Sequence, residues 1–473
     1  MIRAMRSLVA ASLAILTLLP LLTAQEEIPP FRTRAIAMAR DALRTKNSMR
    51  VLKDLIAAAP KRLAGSAGAR AAADFALAEM QRMGLKDAHL EEVTVEAWDM
   101  GRECKVALVT PEGEKLLAAL PLGGSEPTPN GGIESGVLMV KTMAQLRALG
   151  ANAKGKLVFF ARAFDESQIS TGQAYSDAVQ QRGQGAIETA KVGGLGALVR
   201  SAGSEVDDHP HTGAMNYEQG LTRLPACALS AVAAEALEAA LVKWPDLKVR
   251  WSQDCAHKGP APAWNVVGDI KGSSKPAEIV LLAGHIDAWP SGDGAHDDGA
   301  GCAHALEAAR LILGSGAAPA RTVRIVLFAN EENGLAGGRG YAEKHADEVA
   351  QHVAAFESDS GGFSPRGVSV GGGKETVAAM ADLDLHLGAL DLGAVRTGGG
   401  GADISPLARL GVPVMSLHVA GERYFDLHHT AKDVLANVHP RELALGAAVT
   451  AITGLWLADA EVPLPRTRSA ERQ

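Results

Sequence analysis

The chain has 473 residues, 47% hydrophobic and 21% charged, with 54 Asp+Glu against 47 Lys+Arg. This length exceeds what one hydrophobic core usually serves, so two domains, or one domain with a large insertion, are expected; the composition argues against a disordered chain and against a polytopic membrane protein. A formal net charge of −7 argues against nucleic acid as a partner.

At the start, Arg3 and Arg6 precede an uncharged, mostly apolar run from Ser7 to Ala24 that Pro20 interrupts. That is the pattern of a secretory signal. Residues 1–24 are expected to be removed, leaving a secreted or periplasmic protein that begins near Gln25 and has no stable membrane insertion. Loss of Arg3 and Arg6 leaves 45 Lys+Arg against 54 Asp+Glu, a net charge of −9. The four cysteines, Cys104, Cys227, Cys255 and Cys302, form no C-x-x-C pair, and one disulfide, such as Cys227 with Cys255, stays open at this point.

Residues 34–58 and 67–84 are predicted helical, with Ala72, Ala76, Met80 and Met83 recurring at helical spacing. EEVTVEAW predicts a strand. From about 107 to 260, short β segments (GVLMV, KLVFFA, GALVRS) alternate with Gly-rich turns and helix candidates at 176–191 and 231–242, which reads as an inserted β-rich module. From Asn265 the alternation is regular: EIVLLAGHID as strand, GAGCAHALEAARLIL as helix, RTVRIVLFANEE as strand, 335–351 as helix, VAAFESD and VPVMSLH as strands, and a closing helix over 440–459. Such alternation predicts a doubly wound, mostly parallel α/β sheet with helices on both faces. The expected plan is one α/β domain built from 25–106 and 261–462, an insertion at 107–260, and a disordered tail at 463–473.

In sheets of this kind, sites form beyond the carboxyl ends of strands. There the sequence places His285 and Asp287, Asp297 and Asp298, Glu331 and Glu332, Asp359, and His428 and His429. Singly, each has an ordinary reading as a core histidine, a solvated helix start or a turn. Together, at successive element ends, they point to metal, because a bare buried charge is costly; more carboxylates than one zinc can use point to two ions.

The segments GHIDAWPSGDGAHDDGAG, FANEENGLAGG, FESDSGG and YFDLHHTAKD resemble the metal-binding motifs of the co-catalytic zinc aminopeptidase family. PHTG at 210–213, GGGGADISPL at 398–407 and FDLHHT at 425–430 resemble segments of its plasma glutamate carboxypeptidase branch. The resemblance spans about 40 to 460 and implies two Zn2+ per chain: His285 and Asp359 on one, Glu332 and His429 on the other, with Asp297 bridging. It implies Glu331 as general base, a cis peptide between Asp297 and Asp298, Asp403 lining the substrate pocket, a protease-associated insertion that acts as a lid, and a homodimer.

Asp287, two residues beyond His285, is placed to accept the second ring N–H of that histidine, and Asp433 to do the same for His429. Some relatives carry Tyr just before the last histidine ligand, where this chain has His428; oxyanion stabilisation falls to His428 or Tyr424, and the sequence does not choose between them. The DDHPHTG stretch is expected to be a polar loop and Cys302 a core residue. The expected activity is exopeptidase action on peptides or dipeptides, as an aminopeptidase or dipeptidase, with carboxypeptidase action as the alternative. A receptor-like, non-catalytic member of the same fold is the rival class, and the complete ligand set tells against it. A single-zinc glutaminyl cyclase is disfavoured by the closeness of the motifs.

Overall fold

A computed structural model describes residues 30–466, so the signal segment 1–24 and the end of the tail lie outside the described residues. The first helical stretch is two helices, Phe31–Thr45 and Asn47–Ala58, broken where Lys46 takes φ 49°. A third, Ala67–Met83, starts where the Ser66 hydroxyl accepts the Ala69 N–H and stops at Gly84, whose φ of 82° suits a residue without a Cβ.

The main sheet has eight strands: β1 (Lys86–Asp99), β2 (Ala256–Ile270), β3 (Lys275–His285), β4 (Arg321–Phe328), β5 (His352–Glu357), β6 (Pro365–Val370), β7 (Ala394–Thr397) and β8 (Val414–Val419). Their spatial order is β1-β2-β4-β3-β5-β8-β6-β7. The central run β4-β3-β5-β8 is parallel throughout, as the strand–helix alternation predicts; β1, β2 and β6 join it antiparallel, and β7 pairs parallel with β6. Alternation along the central strands sends side chains to two cores. Val280, Leu282, Val323, Ile325 and Phe356 pack with the helices Ala300–Leu313 and Pro440–Asp459 on one face, while Leu281, Val326 and Phe328 pack with Tyr341 and Leu407 on the other. Pro440–Asp459 is long and apolar enough to cross a membrane, yet it is mostly buried within this core. At Gly301 the helix Ala300–Leu313 approaches so closely that a Cβ would sit 1.9 Å from the Ser358 carbonyl oxygen.

Between Cys104 and Gln253 lies a second eight-stranded sheet. It is less purely β than the sequence suggests. Ile133–Val140, Leu157–Phe160, Gly196–Arg200 and Ala226–Leu229 pair in parallel; the helices Met143–Leu149 and Thr171–Lys191 make the first two crossovers, and Ala231–Lys243 leads on to the antiparallel strand Lys248–Gln253. The first helix begins earlier than expected because the Ser170 hydroxyl accepts the Gln173 N–H. It runs through Gly183 and Gly185 because Gly185 lies against the Phe160 ring, where a Cβ would come within 3.1 Å. All four cysteines are free thiols, which rules out the Cys227–Cys255 bridge in this structure. The tail is ordered at its start, since Leu464 is buried in the main core and Arg466 donates to the His352 carbonyl at 2.9 Å.

The loop from Ile286 to Gly294 joins the end of β3 to the turn holding Asp297, and Arg62 clamps it. Fully buried, Arg62 donates to the carbonyls of Ile286 (2.7 Å), Asp293 (2.6 Å) and Gly294 (2.6 Å). Carbonyl oxygens are its only hydrogen-bond acceptors, so the guanidinium acts as a three-pronged staple rather than as half of an ion pair. Replacing it with methionine fills the space but strands three carbonyls. We expect Arg62→Met to lower stability by about 3 kcal/mol, read as a reduced urea midpoint at unchanged slope. A midpoint equal to that of the parent protein would show that the loop holds itself.

Candidate metal centre

The apolar strands β3, β4 and β5 each run to the same edge, and there the hydrophobic pattern breaks into charge. His285 is the last residue of β3, Glu331 and Glu332 follow β4, and Asp359 follows β5. Asp297 stands in the irregular turn Ala295–Gly299, with a cis peptide to Asp298, and His429 (φ 64°) lies in the loop between β8 and the last helix.

Asp297 is the hub. Its Oδ1 lies 3.2 Å from His285 Nε2, which is itself 3.5 Å from Asp359 Oδ1. Its Oδ2 lies 3.2 Å from His429 Nε2, and that nitrogen is 3.1 Å from Glu332 Oε2. Two three-residue groups therefore have ligand atoms within reach of one ion: His285, Asp297 and Asp359; and Asp297, His428 and His429. Although these atoms are close, His285 Nε2 and Asp297 Oδ2 are buried and make no hydrogen bond of acceptable geometry. Lone pairs that converge without a shared proton are what a cation would satisfy, so the donor set fits metal.

The surrounding contacts differ from the sequence expectation at two positions. His285 Nδ1 lies 3.1 Å from the backbone carbonyl of Asp287 and 3.8 Å from its carboxylate; that carboxylate instead accepts the Glu331 N–H at 3.1 Å. The side chain of Asp287 thus positions the glutamate pair rather than the histidine. Asp433 does not reach the His429 ring. Its two oxygens accept the N–H groups of His296 (2.6 Å) and Asp297 (3.1 Å), fixing the turn that presents the hub. Asp298 does similar work, accepting from His285 N (3.0 Å) and Gly301 N (2.9 Å).

The acceptor for His429 comes from the far sheet. His429 Nδ1 lies 3.2 Å from the Thr212 carbonyl, and Arg182 spans the two, 3.2 Å from that carbonyl and 3.4 Å from the ring nitrogen. PHTG at 210–213 lies in a loop without regular structure, as expected, but it reaches the centre, which composition alone did not signal. Asp207 is tied to Lys432 at 2.9 Å and Ser204 to Asp426 at 2.6 Å, so the same stretch is fastened on either side of His429. Arg182 and Arg62 went unnoticed in the sequence because isolated arginines carry no motif.

Electrostatics separate the two glutamates. Burial, and then the charge of Asp297, pushes Glu332 up to about 7, while its Oε1 accepts the Trp289 N–H at 3.1 Å. Burial, reinforced by Asp359, Glu332 and Asp297 and offset by His285, raises Glu331 well above the usual carboxylate range. At the hub, burial would raise Asp297, but the facing imidazoles of His285 and His429 hold it well below that range. Asp403 is 1% exposed with both oxygens unpartnered, beside Glu357, so it sits beneath the site rather than open to a cleft. His428 Nε2 is 3.5 Å from Asp297 Oδ2 and its ring stacks on His429, with centroids 3.5 Å apart. Tyr424 packs 5.1 Å from His428 and lines a cleft with Asp359. Both candidates for the oxyanion role are therefore at the centre, and Cys302 is core, its thiol 3.0 Å from the His285 carbonyl.

Residues 265–452 match the model of peptidase family M28. Carboxypeptidase Q of Mus musculus is 34% identical over 406 residues, covering 86% of this chain and 84% of the mouse protein; the Homo sapiens protein matches to the same extent. The crystal structure of a peptidase M28 precursor from Shewanella amazonensis superimposes with a TM-score of 0.88 at 33% identity, over 93% of this chain and 99% of that one. A zinc aminopeptidase from Bacillus subtilis shares the fold, with a TM-score of 0.63 at 17% identity over 90% of this chain and 95% of its own. An α/β sheet with a second sheet beside it, a hub carboxylate between two imidazoles, and this extent of likeness place the chain in peptidase family M28.

Proposed function

We propose that the protein is a zinc-dependent exopeptidase, an aminopeptidase or dipeptidase, exported through its N-terminal segment. The observation that carries this reading is that His285 and His429 reach opposite oxygens of Asp297, with Asp359 beside the first imidazole and Glu332 beside the second. His285 and Asp359 would hold one zinc, Glu332 and His429 the other, and Asp297 both. Bound in this way, zinc supplies polarisation of the scissile carbonyl and acidification of the attacking water.

The chain's own groups do the rest. Glu331, held by its backbone N–H on Asp287 Oδ1, takes a proton from the water as its oxygen adds to the carbonyl carbon. It returns that proton to the leaving nitrogen as the C–N bond breaks. Burial among other carboxylates raises the Glu331 carboxyl above its ordinary range, the direction that favours its receiving a proton. His428 or Tyr424 is placed to steady the developing oxyanion. The Thr212 carbonyl and the Asp287 carbonyl orient the two histidines so that Nε2 faces the hub in each.

Exopeptidase action is supported by the second sheet, whose loop 204–213 and helix Thr171–Lys191 bring Thr212 and Arg182 against His429 and so cover one side of the strand ends. Glu331 and Asp359 offer negative charge to a substrate ammonium. Carboxypeptidase action is the second reading, favoured by the 34% identity to carboxypeptidase Q. Acetylating the amine of a dipeptide is expected to abolish its hydrolysis while amidation of its carboxylate leaves it a substrate. The opposite pattern would establish carboxypeptidase action, and efficient cutting within a long peptide blocked at both ends would defeat both readings.

The two glutamates give a second test. Glu331→Gln is expected to lower kcat by at least about 100-fold with bound zinc unchanged by elemental analysis, whereas Glu332→Gln should lose zinc. If Glu331→Gln strips metal and Glu332→Gln does not, their roles are reversed.

A further inference from the structure

Three of the four thiols gather in the second sheet. Cys104, Val106 and Leu108 of the strand Cys104–Thr110 share one face, as do Cys227 and Leu229 of Ala226–Leu229 and Val249 and Trp251 of Lys248–Gln253, and all of them meet in one apolar core. Gln253, opposite Cys104 in the strand register, sends its side chain to the same place. Its Oε1 accepts the Cys104 thiol at 3.8 Å, and its Nε2 lies 3.5 Å from the carbonyl oxygen of Ala226, the residue before Cys227. The Cys104 thiol is in turn the side-chain hydrogen-bond neighbour of Cys227.

Cys255 is near but held apart. Its thiol donates to the Ser125 carbonyl at 3.3 Å and accepts from Gln253 Nε2 at 3.4 Å, and it packs with Leu63, Trp98 and Trp289 rather than with the core that contains Cys227. Cys302 lies in the core of the main sheet. Cys104 and Cys227 are thus the two thiols that share a core. As packing they add little, since each is a small apolar group; as a disulfide they add a cross-link. Only Cys104 is partly open to solvent, and burial pushes Cys255 up to about 12 and Cys227 well above the ordinary thiol range, so Cys104 is the thiol an oxidant meets first.

We propose that Cys104 and Cys227 form a disulfide when the protein meets a disulfide-bearing oxidant, and that this bridge staples the second sheet. The Cys104 thiolate attacks one sulfur of the oxidant, expelling the other as a thiolate and leaving a mixed disulfide. Cys227 then gives up its proton and attacks Cys104 Sγ, so that the Cys104–Cys227 bond forms and the remaining oxidant sulfur leaves as a thiol. Two electrons and two protons pass to the oxidant, which ends as two thiols. The closed loop of about 120 residues contains Arg182 and Thr212, the groups that reach His429, so the cross-link fastens the part of the second sheet that completes the metal centre. Such oxidants are at hand outside the cytoplasm, so the setting rests on the export proposed above; the pairing rests on the contacts alone.

Oxidation of the purified protein separates the pairing from the question of export. Protein prepared in reductant is exposed to oxidised glutathione, denatured with a maleimide present, and mapped by mass spectrometry. The expected result is label on Cys255 and Cys302 only, a linked peptide pair joining Cys104 to Cys227, and a Tm about 5 °C above that of the reduced protein, the size expected of a bridge across a long loop. Cys104→Ser should abolish both the link and the Tm difference, while Cys255→Ser should leave both. Label on all four thiols, glutathione left on Cys104 alone, or a bridge that includes Cys255 would overturn the pairing. A Cys104–Cys227 link with no change in Tm would overturn the staple.

Discussion

Eight carboxyl groups (Asp287, Asp297, Asp298, Glu331, Glu332, Glu357, Asp359 and Asp403) crowd around three imidazoles at the ends of the parallel strands, most of them buried. Nothing else in the molecule constrains it so strongly. Left to themselves, such charges repel and lose hydration, and the cost shows as raised carboxyl pKa values: burial and Asp359 take Glu357 up to about 7, and burial takes Asp433, just outside the ring, up to about 7 as well. Backbone N–H groups absorb part of this, from His285, Gly301, Glu331, Ile404, His296 and Asp297. The remaining lone pairs face one another at the hub, where cations are the natural complement.

The rest of the architecture can be understood as holding that arrangement still. Arg62 staples the loop after β3 by its carbonyls, so that the loop is rigid without a further carboxylate. The second sheet supplies the partner of His429 through Thr212, whose hydroxyl is anchored on the Pro121 carbonyl at 2.7 Å. Because the acceptor for the His429 ring comes from 217 residues away in sequence, the two sheets must be correctly docked before the centre is complete. That couples assembly of the site to assembly of the whole chain.

Much of this was legible in the sequence. Regular strand–helix alternation from Asn265 revealed the parallel core, and charge appearing where apolar runs end marked His285, Asp297, Glu331, Glu332, Asp359 and His429. What escaped was whatever depends on distant segments meeting. The supporting contacts assigned to Asp287 and Asp433 were argued from proximity along the chain, but the actual acceptors are the carbonyls of Asp287 and Thr212. Backbone acceptors have no residue-type signature. The helix expected at 176–191 begins five residues earlier, at the Ser170 cap, while that expected at 231–242 is found almost as expected, and a polar row of Ser416, Ser369 and Arg396 exists only once three strands are in register.

We propose that two cations share the Asp297 hub, and counting them is the decisive measurement. Protein stripped of metal by chelation and titrated with zinc in a calorimeter should take up two equivalents per chain, with activity complete only when the second is bound. Saturation at one equivalent with full activity would contradict the account, because a carboxylate with both oxygens turned to opposite imidazoles would then have no bridging work to do.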